Sequence, residues 1–353
     1  MNDTYPMLSV EQALEMVLAQ FHSLDVEQEP ILESLGRVLA EEIHAEMDIP
    51  PLANSAMDGY AVRAADVAGA SDAKPTRLRI VQDLAAGYVA ERAVEPGTAI
   101  RIMTGAPIPS GADAVVRFED TRQEDEWVEV RVSAPAGQDI RAAGEDVRRG
   151  QRVLEPGVQI RPQEVGMLAA VGRSQVKVHR RPRVAVLATG DEVIAVDAPW
   201  QPGKIRNANS YSNAAQIIRC GGEPLLLGIA RDDIDQLTAL MRRGLDLGAD
   251  LLITSGGVSV GDFDVVKKVL AAEGEMQFWR VRMKPGKPLA FGQIQGVPLL
   301  GLPGNPVSAM VSFELFARPA ILKMLGVRGW VHPRVEATLL DEIRRKDDRR
   351  HYL

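Results

Sequence analysis

The sequence predicts a multidomain α/β protein in which a parallel-sheet α/β domain accompanies a β-rich domain inserted in a small helical region, with a truncated C-terminal β domain at the end. Three observations predict this class. Between about residues 182 and 325, strand-length apolar runs alternate with amphipathic helical stretches, the pattern of a mostly parallel sheet covered on both faces. From Met57 to about Pro156 the texture changes to short β-like runs separated by Gly, Pro and Asp turns. The chain has 353 residues, 46% of them hydrophobic, enough to fill two or three separate cores.

Taken in order, Val10, Ala13, Leu14, Val17, Leu18 and Phe21 form a helical stripe, and Ser9 and Gln12 have the spacing of a capping box. A second helix is expected over Pro30 to Ile43, ended by the prolines of "DIPPLANS". The runs "RLRIV", "AIRIM", "DAVVRF" and "WVEVRV" read as strands. "QEVGMLAAVG" (Gln163 to Gly172) reads as a helix that packs back against the first, which makes the helical region two pieces, 8–47 and 157–181, around a β-rich domain over 48–156. The α/β domain, 182–326, is expected to run "RVAVLAT", helix 209–219, "EPLLLGI", helix 233–247, "DLLIT", helix 263–273 and "VPLLGL". Residues 327–353 open a β-like run, "RVEATLL", that stops inside "DEIRRKDDRRHYL", as a trimmed tail or the start of a lost domain would.

Composition excludes several classes. Lys and Arg number 41 against 48 Asp and Glu, a formal charge of −7, so general attraction to nucleic acid or an anionic membrane is not expected. No segment reaches about 18 uninterrupted apolar residues, and the N-terminus lacks the pattern of an export signal. The single cysteine, Cys220, allows no intrachain disulfide and no thiolate metal cluster, which fits a reducing, cytoplasmic setting. The five histidines are dispersed without an HExxH arrangement, and neither a Walker motif nor GxGxxG is present.

Chemistry concentrates at three strand ends: Thr189-Gly190-Asp191-Glu192, the stretch "TSGGVSVGDFD" from Thr254 to Asp264, and Leu302-Pro303-Gly304-Asn305-Pro306. In a parallel sheet these ends share one edge, and ligands bind beyond it. Gly256, Gly257 and Gly261 allow backbone N–H groups to approach an anion closely. Carboxylates at the same place suit a phosphate accompanied by a divalent cation, with Asp262 or Asp264 holding Mg²⁺; read structurally, they cap a helix. Lys284-Pro285-Gly286-Lys287-Pro288 places two cations on a stiff turn, a complement to pyrophosphate or an oxyanion, or else a solvated surface turn. Asn305 and Pro306 read as a helix start, with Asn305 capping and Pro306 in the first turn, a structural role beside which the helix end is a further anion site. Asp58-Gly59 is a turn pair by default, Thr104-Gly105 is weak evidence by itself, and Arg141 with "GEDVRRG" faces an anion or solvent.

Together "NSAMDGYAVR", "RIMTGAPIP", "ATGDEV", "TSGGVSVGDFD", "KPGKP" and "GLPGNPVSA" resemble the signatures of the molybdopterin molybdenumtransferases, the MoeA enzymes, and of the related gephyrin E domain. The motifs occur in the expected order over about residues 8 to 345. The resemblance implies a MogA-like sheet domain and an enzyme that takes adenylyl-molybdopterin and molybdate, inserts molybdenum at the dithiolene and releases AMP with Mg²⁺ present. It implies a cytoplasmic homodimer whose cleft lies between the sheet domain of one subunit and the helical and β domains of the other. Transient contact with a molybdopterin adenylyltransferase and with molybdoenzyme maturation factors is also implied, without nucleic acid or membrane. Carried over by motif, Asp58, Thr104, Glu192, Asp264, Lys284 and Lys287 are the catalytic candidates, with Asp58 and Thr104 supplied from the partner's side. Thr189, Gly190, Asp191, Ser255, Gly256, Gly257, Ser259, Gly261, Pro303, Gly304, Asn305 and Pro306 would bind the pterin nucleotide, and Asp191, Glu192, Asp262 and Asp264 the metal. Two alternatives stand beside this reading: molybdopterin adenylyl transfer, the chemistry of smaller relatives that consist of the sheet domain alone, and a non-catalytic gephyrin-like dimeric binding module.

Overall fold

The computed structural model describes residues 7–231, 233–256, 266, 268–270, 274–329, 335–338, 340 and 348–352. Contacts divide the chain into two compact units, Met1–Glu41 with Glu155–Gly166 and Arg173–Leu353, and Glu42–Leu154 with Met167–Gly172.

In the first unit strand β1 (Met7–Leu8) leads into helix α1 (Val10–Leu18). The capping box forms as expected. The Gln12 N–H donates to the Ser9 hydroxyl at 3.1 Å, and the Ser9 N–H donates to the Gln12 side chain at 3.0 Å. Strand β2 (Val26–Pro30) then pairs antiparallel with β3 (Gln175–His179). The helix expected over Pro30–Ile43 does not form. Residues 31–36 are turns, Gly36 sits at φ +78°, and the N–H groups of Leu39 and Ala40 donate across to Val158 and Lys177 carbonyls at 2.9 and 2.8 Å. Long-range pairing takes the donors that an i→i−4 ladder would need, so tertiary context overrides the local period. A helix does form at Pro162–Ala170, overlapping the stretch expected over Gln163 to Gly172, and its residues are divided between the two units.

The main sheet of this unit is built from β4 (Arg183–Thr189), β5 (Glu223–Ala230), β6 (Leu251–Ser255), β7 (Gly274–Val281), β8 (Pro288–Ile294) and β9 (Val297–Leu302), with β1 on one edge, in the order β1-β7-β8-β9-β6-β4-β5. Strands β9, β6, β4 and β5 run parallel. Strand β8 is antiparallel to both its neighbours and is the one reversed strand of the seven, since β7 and β1 run in the direction of β9. The two strands flanking the Lys284–Pro288 turn escaped the sequence reading because a proline-rich turn masks them. Pro288 opens β8, where a missing donor is tolerated. Helices α2 (Ala208–Cys220) and α3 (Ile234–Asp246) match the two expected there, while the helix expected over 263–273 falls largely outside the described residues.

Alternation along β4 explains the layers. Val184 and Val186 join Ile217, Ile253, Leu300 and Phe313 in one core, and Ala185 and Leu187 join Leu237, Met241, Leu252 and Leu299 in another. Both sheet faces are therefore covered, which is what parallel strands apolar on both faces require. At the other end of the described chain, Arg350–His351 pairs parallel with Met283–Lys284, and Arg350 makes an ion pair with Glu11.

The second unit is β-rich. Its six-stranded sheet runs Ala114–Arg117, Gly59–Val62, Thr98–Ile102, Thr76–Leu84, Trp127–Val130 and Thr121–Glu124 in spatial order. The four runs expected are present, and Gly59–Val62, taken as the end of a turn, is an inner strand paired on both sides. All four of its residues are buried.

Leu187 is fully buried in the second of the two sheet cores. Leu187→Ala is expected to lower stability by about 2–5 kcal/mol, read from the denaturation midpoint of the sheet unit.

Candidate functional site

Parallel register determines which strand ends meet. Thr189 lies opposite Ala230, Ala188 opposite Ser255, and Ser255 opposite Leu302, so the residues that follow each strand emerge side by side. The backbone then closes up. Gly256 has φ +90°, and a Cβ there would sit 2.7 Å from the Thr189 carbonyl oxygen and 3.0 Å from its hydroxyl. A Cβ on Gly304 would lie 3.6 Å from the Gly256 Cα. At Gly256 only a bare backbone allows this approach, whereas at Gly304 a Cβ would make an ordinary contact. The Gly256 N–H donates to the Leu302 carbonyl at 3.1 Å, and the Thr189 hydroxyl to the Ser255 carbonyl at 3.5 Å.

Beyond these ends is a crevice of about 70 Å³ lined by Thr189, Glu192, Ser255, Gly256, Gly304 and Pro306, together with Ile205 to Asn209. Gly190 sits at φ +132°, where an added Cβ would strike the Glu192 carboxyl group. That glycine allows Glu192 to fold back over the strand end. Asp191 is exposed, and its carbonyl accepts from the Lys204 ammonium at 2.6 Å.

Sequence reasoning missed one wall, Ile205 to Asn209. Asn207 caps α2 by accepting the Ser210 N–H at 3.1 Å, and the Asn209 amide donates to the Gly304 carbonyl at 2.9 Å. The available signal was "NANS" directly before an expected helix, which places another helix start at the same sheet edge. Asn305 caps helix α4 (Pro306–Ser312) and accepts from Val307 and Ser308 at 3.1 and 3.3 Å. The cap at Asn305 and the proline in the first turn are those the sequence predicts.

Lys284 and Lys287 are both exposed, and neither lines the crevice. Their turn packs against α4 instead. Gly286, at φ +98°, lies so close that a Cβ would be 2.7 Å from the Met283 methyl and 2.8 Å from the Ser312 hydroxyl. Gly257, Ser259, Gly261, Asp262 and Asp264 lie outside the described residues. Among the described residues no three His, Cys, Asp or Glu side chains converge as a metal site.

Asp58 and Thr104 belong to the second unit, where they form a pair. One Asp58 oxygen accepts the Thr104 N–H at 2.7 Å and its hydroxyl at 2.8 Å. Gly59 makes this possible, since any Cβ there would overlap the Val116 carbonyl. Donation by the Thr104 backbone first, then by its hydroxyl, with a smaller contribution from the Arg101 charge, holds the Asp58 carboxyl below its ordinary range. A lowered folded-state value means that the pair's contribution is present above the unfolded pKa and is lost as pH falls through the folded one. Thr104→Val is expected to move the Asp58 titration upward, toward the ordinary carboxylate value, in carbon-detected NMR. Gly256→Ala is expected to displace the Thr189 strand end and abolish ligand binding in the crevice while the second unit keeps its own unfolding transition.

Two family models match the chain. Residues 8–172 match the "MoeA N-terminal region (domain I and II)" and residues 185–323 a "Probable molybdopterin binding domain". The molybdopterin molybdenumtransferase of a Nostoc species is 39% identical over 357 residues, covering 99% of this chain and 82% of that protein. Molybdopterin molybdenumtransferase 2 of Mycobacterium tuberculosis is 39% identical over 339 residues, covering 94% and 84%. The crystal structure of the molybdopterin biosynthesis MoeA protein from Pyrococcus horikoshii superposes with a TM-score of 0.79 at 35% identity, covering 91% of this chain and 81% of that one. With motif order, sheet topology and both family models in agreement over nearly its whole length, the chain belongs to the MoeA family of molybdopterin molybdenumtransferases.

Proposed function

We propose that this chain is a molybdopterin molybdenumtransferase, which inserts molybdenum from molybdate into adenylyl-molybdopterin and releases AMP in molybdenum cofactor biosynthesis. The observation that carries the reading is the crevice at the carboxyl ends of β4, β6 and β9, where the close approach of Gly256 and Gly304 opens backbone to a ligand. A match to the MoeA N-terminal region over residues 8–172 favours this over adenylyl transfer by a sheet domain alone.

In this reading the backbone around Gly256 and Gly304 and the capped start of α2 receive the pterin nucleotide. Thr189, Gly190, Asp191, Ser255, Gly257, Ser259, Gly261, Pro303, Asn305 and Pro306 complete that surface. Asp191 and Glu192 at the end of β4 offer the oxygen donors that a hard cation takes, and with Asp262 and Asp264 they would hold Mg²⁺. When bound, Mg²⁺ neutralises charge on the pyrophosphate bridge. Lys284 and Lys287 balance oxyanion charge from their turn. Asp58, kept ionised by Thr104, positions water as a hydrogen-bond acceptor. The burial of Cys220 pushes its thiol up to about 11, so it supplies no thiolate nucleophile near neutral pH. The same reading makes the protein a cytoplasmic homodimer that meets the adenylyltransferase supplying its substrate and the maturation factors that receive its product. No described helix is long and apolar enough to cross a membrane.

With purified chain, adenylyl-molybdopterin, molybdate and Mg²⁺, AMP and active cofactor are expected to form in equal amounts. Glu192→Gln and Asp264→Ala are each expected to slow this by roughly a hundredfold. Cofactor formation without AMP release, or unchanged rates in both variants, would overturn the assignment.

A further inference from the structure

The wall missed by the sequence reading carries more than a helix cap. Asn209 lies in the first turn of α2, a helix of 13 residues that no peptide bond joins directly to any of the three glycine-bearing strand ends. Its amide nitrogen donates to the Gly304 carbonyl at 2.9 Å, across 95 residues of sequence. A Cβ added to Gly304 would just meet the Gly256 Cα, and one added to Gly256 would clash with the Thr189 carbonyl. Thr189, Gly256, Gly304 and Asn209 are thus neighbours, and all four line the crevice. Because Gly304 supplies an acceptor, the Asn209 amide must present its nitrogen there, which fixes its oxygen on the other side. That oxygen is buried without a partner. A buried amide oxygen without a donor is costly, and the local fold does not need that cost if an apolar residue could fill the same place.

We infer that Asn209 is a positioning residue for the transferase reaction: through the Gly304 carbonyl it holds the Pro303–Pro306 turn against the start of α2, so that the crevice is set for the adenylyl end of the substrate before the substrate arrives. The inference rests on the reading of the crevice as the nucleotide site. The side chain acts through Gly304 and does not itself touch the reacting phosphorus. Its loss lets the turn move away from Gly256, and part of the binding energy is then spent in restoring the floor.

Asn209→Ala removes the bond and Asn209→Asp replaces the donor by an acceptor facing another acceptor, while Asn213→Ala changes a fully buried polar side chain one turn further along the same helix. Amide hydrogen exchange at Gly304, Asn305 and Val307 is expected to quicken about 3- to 10-fold in the two Asn209 variants and not in Asn213→Ala. The KM for adenylyl-molybdopterin and the Kd for AMP, measured by calorimetry, are expected to rise about tenfold, with kcat changed less than about threefold. Unchanged exchange at the turn in both Asn209 variants would overturn the clamp, whatever the activity. Faster exchange with an unchanged KM would overturn its role in the reaction. If the parent chain binds no AMP, the nucleotide reading fails on its own account, and hydrogen exchange still decides whether Asn209 holds the turn.

Discussion

The contact on which the rest of the site depends is the backbone of Gly256 lying against Thr189 at the ends of two neighbouring parallel strands. A side chain at position 256 would place its Cβ 2.7 Å from the Thr189 carbonyl oxygen. The approach exists because β4 and β6 are adjacent and parallel, with Ala188 opposite Ser255, so both chains leave the sheet at the same level. Gly304 extends the contact one strand further, and α2 closes it from the side through Asn207 and Asn209. A packed two-faced sheet fixes the strands, and glycine at their ends turns that order into an opening for a ligand.

The unit that carries Asp58 solves a different problem with the same residue type. Gly59 begins an inner strand squeezed against Val116, and the carboxylate just before it is held by two donors from Thr104. The result is an exposed acid whose charge and direction are fixed by backbone geometry, not by burial.

Much of this was legible in the sequence. Strands β4, β5, β6 and β9 are continuous apolar runs of strand length, and their polar ends carry motifs specific enough to indicate the family. Helices α1, α2 and α3 are amphipathic with proper caps, so local and global signals agree. The failures are physical as well. Residues 30–43 read as a helix, but their donors pair with 158 and 177, information that lies more than a hundred residues away. Strands β7 and β8 were hidden by the prolines of the turn that joins them. Asn209 carries no motif of its own, because its meaning depends on a carbonyl 95 positions further on. Lys284 and Lys287 show the limit of motif transfer, since their turn packs on α4 by Gly286 and their ammonium groups stay outside the crevice.

The most direct test of the central claim is a crystal structure of the chain with AMP bound. The account predicts the AMP phosphate against the Gly256 and Gly304 backbone, with the start of α2 beside it and the Glu192 carboxyl group on the opposite side. An ordered AMP anywhere else on the molecule, with this crevice left filled only by solvent, would contradict it.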